Sequence, residues 1–291
     1  MVFHQPVLVT EVIEWMNLQP SGVYCDCTVG GAGHLMALLK ANRKSYFIGF
    51  DWDAEAIAFS KKRLSPFNDR CVLFQENFTN LDFILKRLKL PGIDGALFDL
   101  GVSYHQLTTP ERGFSFERNG PLLMNMAPNT PPLFKKLRQV KMDEIKRILK
   151  IYGDVRNSKS LARVIYEHRF GLKTTGQLRE LVASKIPRRF LKKNLHKVFQ
   201  ALRIWTNDEL TNLISGLWVA FENLKPGGRI LVIAYHSGED RLVKNFLRQL
   251  SLLKKLTILN KKVIRPSYSE IKKNPQARGA RLRVGEKCAS S

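Results

Sequence analysis

A glycine-dense turn, Asp26-Cys27-Thr28-Val29-Gly30-Gly31-Ala32-Gly33-His34, stands between a short apolar run and a helical pattern, and it confines the chain to folds with a strand-turn-helix ligand crevice. The strand covers residues 23–27 and the helix begins in Leu35-Met36-Ala37-Leu38-Leu39. Glycines in such a turn reach backbone conformations closed to other residues, and they let N–H groups approach a ligand closely. After a second apolar run, residues 46–50, comes Asp51, where a nucleotide-type fingerprint puts an acid for ribose hydroxyls.

Two ligand classes fit this pattern, a nicotinamide or flavin dinucleotide and S-adenosylmethionine. The turn offers Gly31-Ala32-Gly33 but has Met36 where a dinucleotide fingerprint needs its third glycine, and no pyrophosphate clamp follows. That favours S-adenosylmethionine, whose methionine part carries an amine and a carboxylate that Asp26, Thr28 and free N–H groups can satisfy.

Further apolar runs at residues 71–74, 96–98 and 230–235 continue the series, the first four being separated by helical patterns. Alternating order with near-continuous hydrophobicity predicts an α/β fold with a doubly wound parallel sheet. Between the fourth and fifth runs the rhythm breaks: residues 113–132 are rich in Pro, Asn and Met, and helical patterns follow at 142–152, 160–168 and 177–185. This predicts an inserted helical subdomain at 107–195 within a main domain of 1–106 and 196–291. A long helix from about His196 to Phe221, ended by Pro226-Gly227-Gly228, returns the chain to the main domain, and late strands are expected at 256–260 and 281–284.

Forty-eight Lys and Arg against 25 Asp and Glu give the 291 residues a net charge of +23, which points to a polyanion such as nucleic acid as partner. Cysteines at 25, 27, 71 and 288 form no C-x-x-C pair and read as buried free thiols; the six histidines are scattered, so no metal is expected. No apolar run approaches the ~20 residues that span a bilayer, and Met1-Val2-Phe3-His4-Gln5-Pro6 lacks the charged and apolar parts of a leader. A cytoplasmic protein is expected, with no membrane partner; association into a homodimer is compatible with the sequence.

Ligands of open α/β sheets bind beyond the carboxyl ends of the strands. The residues there are Asp26 to His34, Asp51 and Asp53, Asn77 and Phe78, Asp99 to Ser103, and His236 with Ser237. Each has an ordinary reading as a cap, core aromatic or loop residue, but together they line one edge.

With these residues the chain resembles the RsmH/MraW family of ribosomal RNA small-subunit methyltransferases. The likeness runs through His4-Gln5-Pro6-Val7, the glycine turn, Phe50-Asp51-Trp52-Asp53, Phe98-Asp99-Leu100-Gly101-Val102-Ser103 with Gln106, and Glu111-Arg112-Gly113-Phe114-Ser115-Phe116. It continues in Phe199 to Leu210, Pro226-Gly227-Gly228-Arg229, His236 to Arg241 and Asn274 to Arg278. The resemblance implies a Rossmann-like class I S-adenosylmethionine methyltransferase sheet and methylation of N4 of a cytidine in the decoding region of 16S rRNA. It also implies cofactor contacts from Ala32, Gly33, His34, Asp51, Phe78, Asp99 and Gln106.

Cytosine N4 is a poor nucleophile that must be oriented and relieved of a proton. Asp99 and His236 are the candidate acceptors, with Ser103 and Asn207 as candidate partners of the base. Tyr104, Phe114 and Phe116 are candidates for stacking a flipped base. Lys185, Arg188, Arg189, Lys192, Lys193 and Lys197, with Lys272, Lys273, Arg278, Arg281 and Arg283, are candidates for phosphate contacts.

Where the family pattern runs Asp-Met-Arg-Met-Asp, this chain has Leu123-Met124-Asn125-Met126-Ala127; one acid is missing at Asp154-Val155, and Gly238 replaces a leucine. These departures keep a second reading open, a ribosome-binding assembly factor of the same fold with reduced or lost catalysis. A dinucleotide oxidoreductase is the third reading, which the net charge disfavours.

Overall fold

A computed structural model describes residues 6–289. His4 and Gln5, which open the first family motif, lie outside the described residues. The helices are α1 Val9–Met16, α2 Gly33–Ala41, α3 Ala54–Leu64, α4 Leu81–Arg87, α5 Tyr104–Thr108, α6 Leu133–Gln139, α7 Met142–Gly153, α8 Ser158–His168, α9 Thr175–Ala183, α10 Arg188–Thr206, α11 Glu209–Asn223, α12 Ser237–Leu252 and α13 Tyr268–Lys273. The strands are β1 Val23–Asp26, β2 Tyr46–Phe50, β3 Cys71–Phe74, β4 Ile93–Asp99, β5 Leu224–Ala234, β6 Leu256–Ile258 and β7 Arg281–Lys287.

The chain divides into two compact units, residues 1–101 with 210–291, and residues 102–209. In the first unit the seven strands form one sheet in the order β3-β2-β1-β4-β5-β7-β6. β1 to β5 pair in parallel, whereas β7 runs antiparallel to both β5 and β6. This is the class I methyltransferase sheet that the resemblance implies. The strand order reverses between β1 and β4, the point at whose carboxyl ends open α/β sheets bind ligands.

Successive residues of each inner strand point to opposite faces, and both faces are covered. Cys25, Ile48, Phe50, Ala96, Phe98, Ile230 and Val232 pack with Leu81, Leu85, Leu213, Leu217, Val243 and Phe246 on one side. Tyr24, Phe47, Leu97, Leu231 and Ile233 pack with Val12, Met16, Leu35, Leu38 and Leu39 on the other. Such double burial explains why these strands read as unbroken apolar runs. Cys25, Cys27 and Cys71 are buried thiols and Cys288 is half-buried, all four without disulfides.

The second unit is helical, with a core that includes Leu133, Leu137, Ile145, Ile148, Leu161, Ile165, Leu178, Leu195, Val198 and Leu202. The single helix expected from His196 to Phe221 is two, because Asp208 takes a left-handed backbone (φ 49°) between α10 and α11. α10 starts at Arg188, eight residues earlier than expected, and belongs wholly to the second unit. Pro226-Gly227-Gly228 does not end a helix but lies inside β5, which starts directly after Asn223.

The Leu123 to Ala127 departure sits in a loop where Leu122, Met124 and Met126 are buried, whereas the departing residues Leu123, Asn125 and Ala127 are half-buried. Asn207 fastens that loop. Its Nδ2 donates to Met124 O at 2.8 Å and to Arg203 O at 3.0 Å, and its Oδ1 accepts from Met126 N at 2.8 Å.

Candidate active site

The carboxyl ends of β1, β2 and β4 bring three acids to one edge of the sheet. Asp26 ends β1 with only 2% of its surface exposed and accepts from Thr28 N at 3.0 Å. Burial, with the negative charges of Asp99 and Asp51 behind it, pushes the Asp26 carboxyl up to about 7, against the opposing pull of His34 and the Thr28 N–H.

Asp51 follows β2 and holds the glycine turn, its Oδ2 accepting from Gly30 N at 2.8 Å and its Oδ1 from Asp53 N at 2.9 Å. Gly30 (φ 50°) and Ala32 (φ 58°) both take left-handed backbone, so the chain reverses sharply into α2. From α3, Ser60 Oγ donates to Gly30 O at 2.8 Å and Arg63 Nη1 to Gly31 O at 2.6 Å. α2 opens without a side-chain cap, leaving its first-turn N–H groups for an external acceptor.

Asp99 closes β4 and is held on three sides. Its N–H donates to Thr28 Oγ1 at 2.6 Å, its Oδ1 accepts from Tyr235 OH at 2.9 Å, and its Oδ2 lies 3.4 Å from His34 Nδ1. His34 Nε2 is 2.8 Å from Val7 O, and since a carbonyl only accepts, that nitrogen carries a proton. The buried Tyr235 phenol is pushed well above its ordinary range, first by burial and then by Asp99, so it stays a donor.

Phe78 stands beyond β3 and meets Phe98 edge-on, with 5.4 Å between ring centres. A Cβ on Gly216 of α11 would come within 2.3 Å of the Phe78 ring, so only glycine there leaves the ring its place. Asn77 Nδ2 donates to Asn212 Oδ1 at 3.0 Å, tying the same loop to α11.

His236 occupies the N-cap of α12. Its Nδ1 accepts from Gly238 N at 3.2 Å and Glu239 N at 3.3 Å, while its Nε2 lies 3.0 Å from Glu239 Oε1 in an alignment poor for a hydrogen bond. With the Nδ1 lone pair engaged by the helix, the proton of the neutral ring sits on Nε2. This geometry makes His236 the N-cap of α12.

Ser103, Gln106 and Asn207 belong to the second unit. Ser103 and the buried Gln106 form a capping box at the start of α5, Ser103 Oγ accepting from Gln106 N and Gln106 Oε1 from Ser103 N. Phe114 is buried, and Phe116 packs edge-on against His196 and Phe199, so of the three candidate stacking rings only Tyr104 is exposed. Arg283 is held by Asp240 through two bonds of 2.7 and 3.2 Å and Lys197 by Asp154 at 2.9 Å, which removes both from the freely available cations.

Sequence reasoning missed Ser60, Arg63, Tyr235, Asn212 and Gly216, which act through contacts between distant segments. It also passed over two local signals, the S-x-x-Q and H-x-x-E spacings of capping boxes at Ser103 and His236. Among the described residues no helix is long and apolar enough to cross a membrane, and no three His, Cys, Asp or Glu side chains are placed to hold a metal.

The family model described as the MraW methylase family matches residues 1–288. The chain belongs to the MraW methylase family. The protein called ribosomal RNA small subunit methyltransferase H of Carboxydothermus hydrogenoformans is 40% identical, the match covering 98% of this chain and 97% of that protein. Its namesake in Thermotoga neapolitana is also 40% identical, with 98% and 96% covered. Among solved structures, an rRNA methylase from Streptococcus thermophilus superposes with a TM-score of 0.45 at 12% identity, covering 97% of this chain and 94% of that one. Family membership rests on the sequence matches.

Proposed function

We propose that this chain transfers a methyl group from S-adenosylmethionine to N4 of a cytidine in the decoding region of small-subunit ribosomal RNA. The observation that carries the reading is the cluster of three carboxylates, Asp26, Asp51 and Asp99, at the switch point of the sheet. An acidic rim attracts a cationic ligand and repels a pyrophosphate, which separates a sulfonium donor from a dinucleotide. The uncapped start of α2 suits the donor's carboxylate, Asp51 its ribose hydroxyls and Phe78 its adenine. Ala32, Gly33 and His34 would act there through the turn and its N–H groups, and Gln106 completes the set that the family implies.

S-adenosylmethionine supplies an electrophilic methyl group on a sulfonium. For the rest the protein must orient N4 and take up the proton that leaves it as the N–C bond forms. Asp99 is suited to accept that proton, since the Tyr235 phenol fixes the direction of its carboxylate and a carboxylate oxygen can accept more than one hydrogen bond. His236 and Asn207 act as a helix cap and a loop anchor in this reading, and Ser103 holds Gln106 through the capping box.

Support for RNA as the acceptor comes from the charge of the chain and from the names of its relatives. The place of action is the cytoplasm, where ribosomal subunits are found. One chain supplies every residue the reading uses, so a homodimer is not needed. The test is incubation with small subunits lacking the modification and labelled donor, followed by mass spectrometry of the RNA. One added methyl on a decoding-region cytidine is expected. RNA binding without incorporation would instead support the assembly-factor reading.

A further inference from the structure

The second unit carries 22 Lys and Arg against nine Asp and Glu, a net +13 in 108 residues. On its surface two phenylalanines stand out, Phe170 at 61% and Phe190 at 48% exposure. Each has an arginine stacked on it. The guanidinium carbon of Arg169 lies 4.3 Å from the Phe170 ring centre and 3.6 Å from that of Tyr166, and Arg189 lies 4.7 Å from Phe190. From α6, Arg138 stacks on Phe134 at 5.4 Å and donates from Nη2 to Phe170 O at 3.0 Å.

Among the described residues no carboxylate pairs with Arg138 or Arg169; neighbouring Glu167 is taken by Arg163 at 2.9 Å. The Nε atoms of both arginines are buried without an acceptor, so stacking and carbonyl contacts, not an internal anion, hold these side chains in place. Two uncompensated cations around an exposed ring are costly in self-repulsion and leave apolar surface in water. A ligand offering both a flat π-face and negative charge removes both costs.

We propose that Phe170, with Arg169, Tyr166 and Arg138, forms a docking site for single-stranded RNA at the end of α8, one unpaired base stacking on Phe170 and adjacent phosphates meeting the two arginines. A duplex is a poor fit, because its bases are stacked on each other and only edges and phosphates are offered. This rests on the reading of RNA as substrate and adds a residue that grips the strand.

The experiment is fluorescence anisotropy of full-length protein with a labelled single-stranded RNA of about a dozen nucleotides, one site size of a stacking groove, and with the same RNA as a duplex. Phe170→Ala is expected to weaken single-strand binding about fivefold or more, the range for loss of one base-aromatic stack. Duplex binding should stay within about twofold, and Phe170→Trp should restore the parent affinity. Arg138→Gln with Arg169→Gln should flatten the salt dependence of binding by about one phosphate's worth for each arginine.

Because Phe170 is exposed, the thermal melt of Phe170→Ala should match the parent, which separates a docking role from a folding one. Equal affinity of Phe170→Ala and parent for the single strand, or equal losses on single strand and duplex, would overturn the proposal. So would a loss confined to intact subunits with naked RNA unaffected, which would assign the face to a ribosomal protein. Absence of methyl transfer by the parent would count against the proposed reaction alone, since anisotropy reads the Phe170 contact without turnover.

Discussion

Asp99 takes its character from three neighbours that are far apart in sequence, Thr28, His34 and Tyr235. Removing the phenol donor with Tyr235→Phe should slow methyl transfer in single turnover roughly tenfold, the scale of a hydrogen bond to a charged group. Affinity for S-adenosylhomocysteine should be unchanged by calorimetry. His236 gives a sharper contrast. Asn is as good an N-cap as any residue, so His236→Asn should keep activity, whereas His236→Ala should lose about 1 kcal/mol of stability in denaturant titration. Inactivity of His236→Asn would return the ring to the chemistry.

Asp26 has a pH signature. Its folded carboxyl titrates near 7, against about 4 in an unfolded chain. Between those values the folded state holds a proton that the unfolded chain releases, so this group's contribution to stability is full below about pH 4 and declines as pH rises toward 7, by at most ~1.4 kcal/mol per unit. Asp26→Asn should remove that slope in urea titrations between pH 5 and pH 7. At this scale the acids were legible in the sequence because each ends a recognisable strand. The backbone contacts of His236 and Asn207 were not, because which neighbouring N–H or carbonyl a polar side chain meets depends on turns that composition does not specify.

Among the elements, the five parallel strands could be read directly, since burial on both faces leaves an apolar run that needs no partner to be seen. The break between α10 and α11 could not. Apolar residues continue through Trp205 and Leu210 with no Gly or Pro between them; the helix is broken by Asp208 in left-handed backbone beside Asn207, which holds Arg203 and the Met124 loop. Arg203 and Glu209 close the same corner through two bonds of 2.9 and 3.0 Å, with 13% and 12% of their side chains exposed. Neutralising one partner of so covered a pair costs about 3 kcal/mol. Glu209→Gln should therefore lower the denaturation midpoint clearly, whereas Glu167→Gln, whose pair with Arg163 is half exposed or more, should leave it almost unmoved.

Across the whole molecule, charge and chemistry are segregated. Residues 1–101 hold ten Lys and Arg against 11 Asp and Glu, whereas residues 102–209 carry +13 and residues 210–291 carry +11. The segment with the glycine turn and the three rim acids is thus close to neutral, and the cationic surface belongs to the rest of the chain. The sequence carried the total charge and its segmental distribution in plain view. It did not disclose which cations are neutralised in place, as Arg283 and Lys197 are, because those pairs join distant parts of the fold.

If the acidic rim holds the methyl donor while other surfaces bind RNA, Asp51→Ala should weaken the donor and spare the RNA. Calorimetry with S-adenosylhomocysteine should show affinity falling about tenfold or more, as expected for a lost charge-assisted hydrogen bond, with RNA affinity in anisotropy unchanged. Unchanged affinity for S-adenosylhomocysteine in a folded Asp51→Ala variant would show that the rim does not hold the donor.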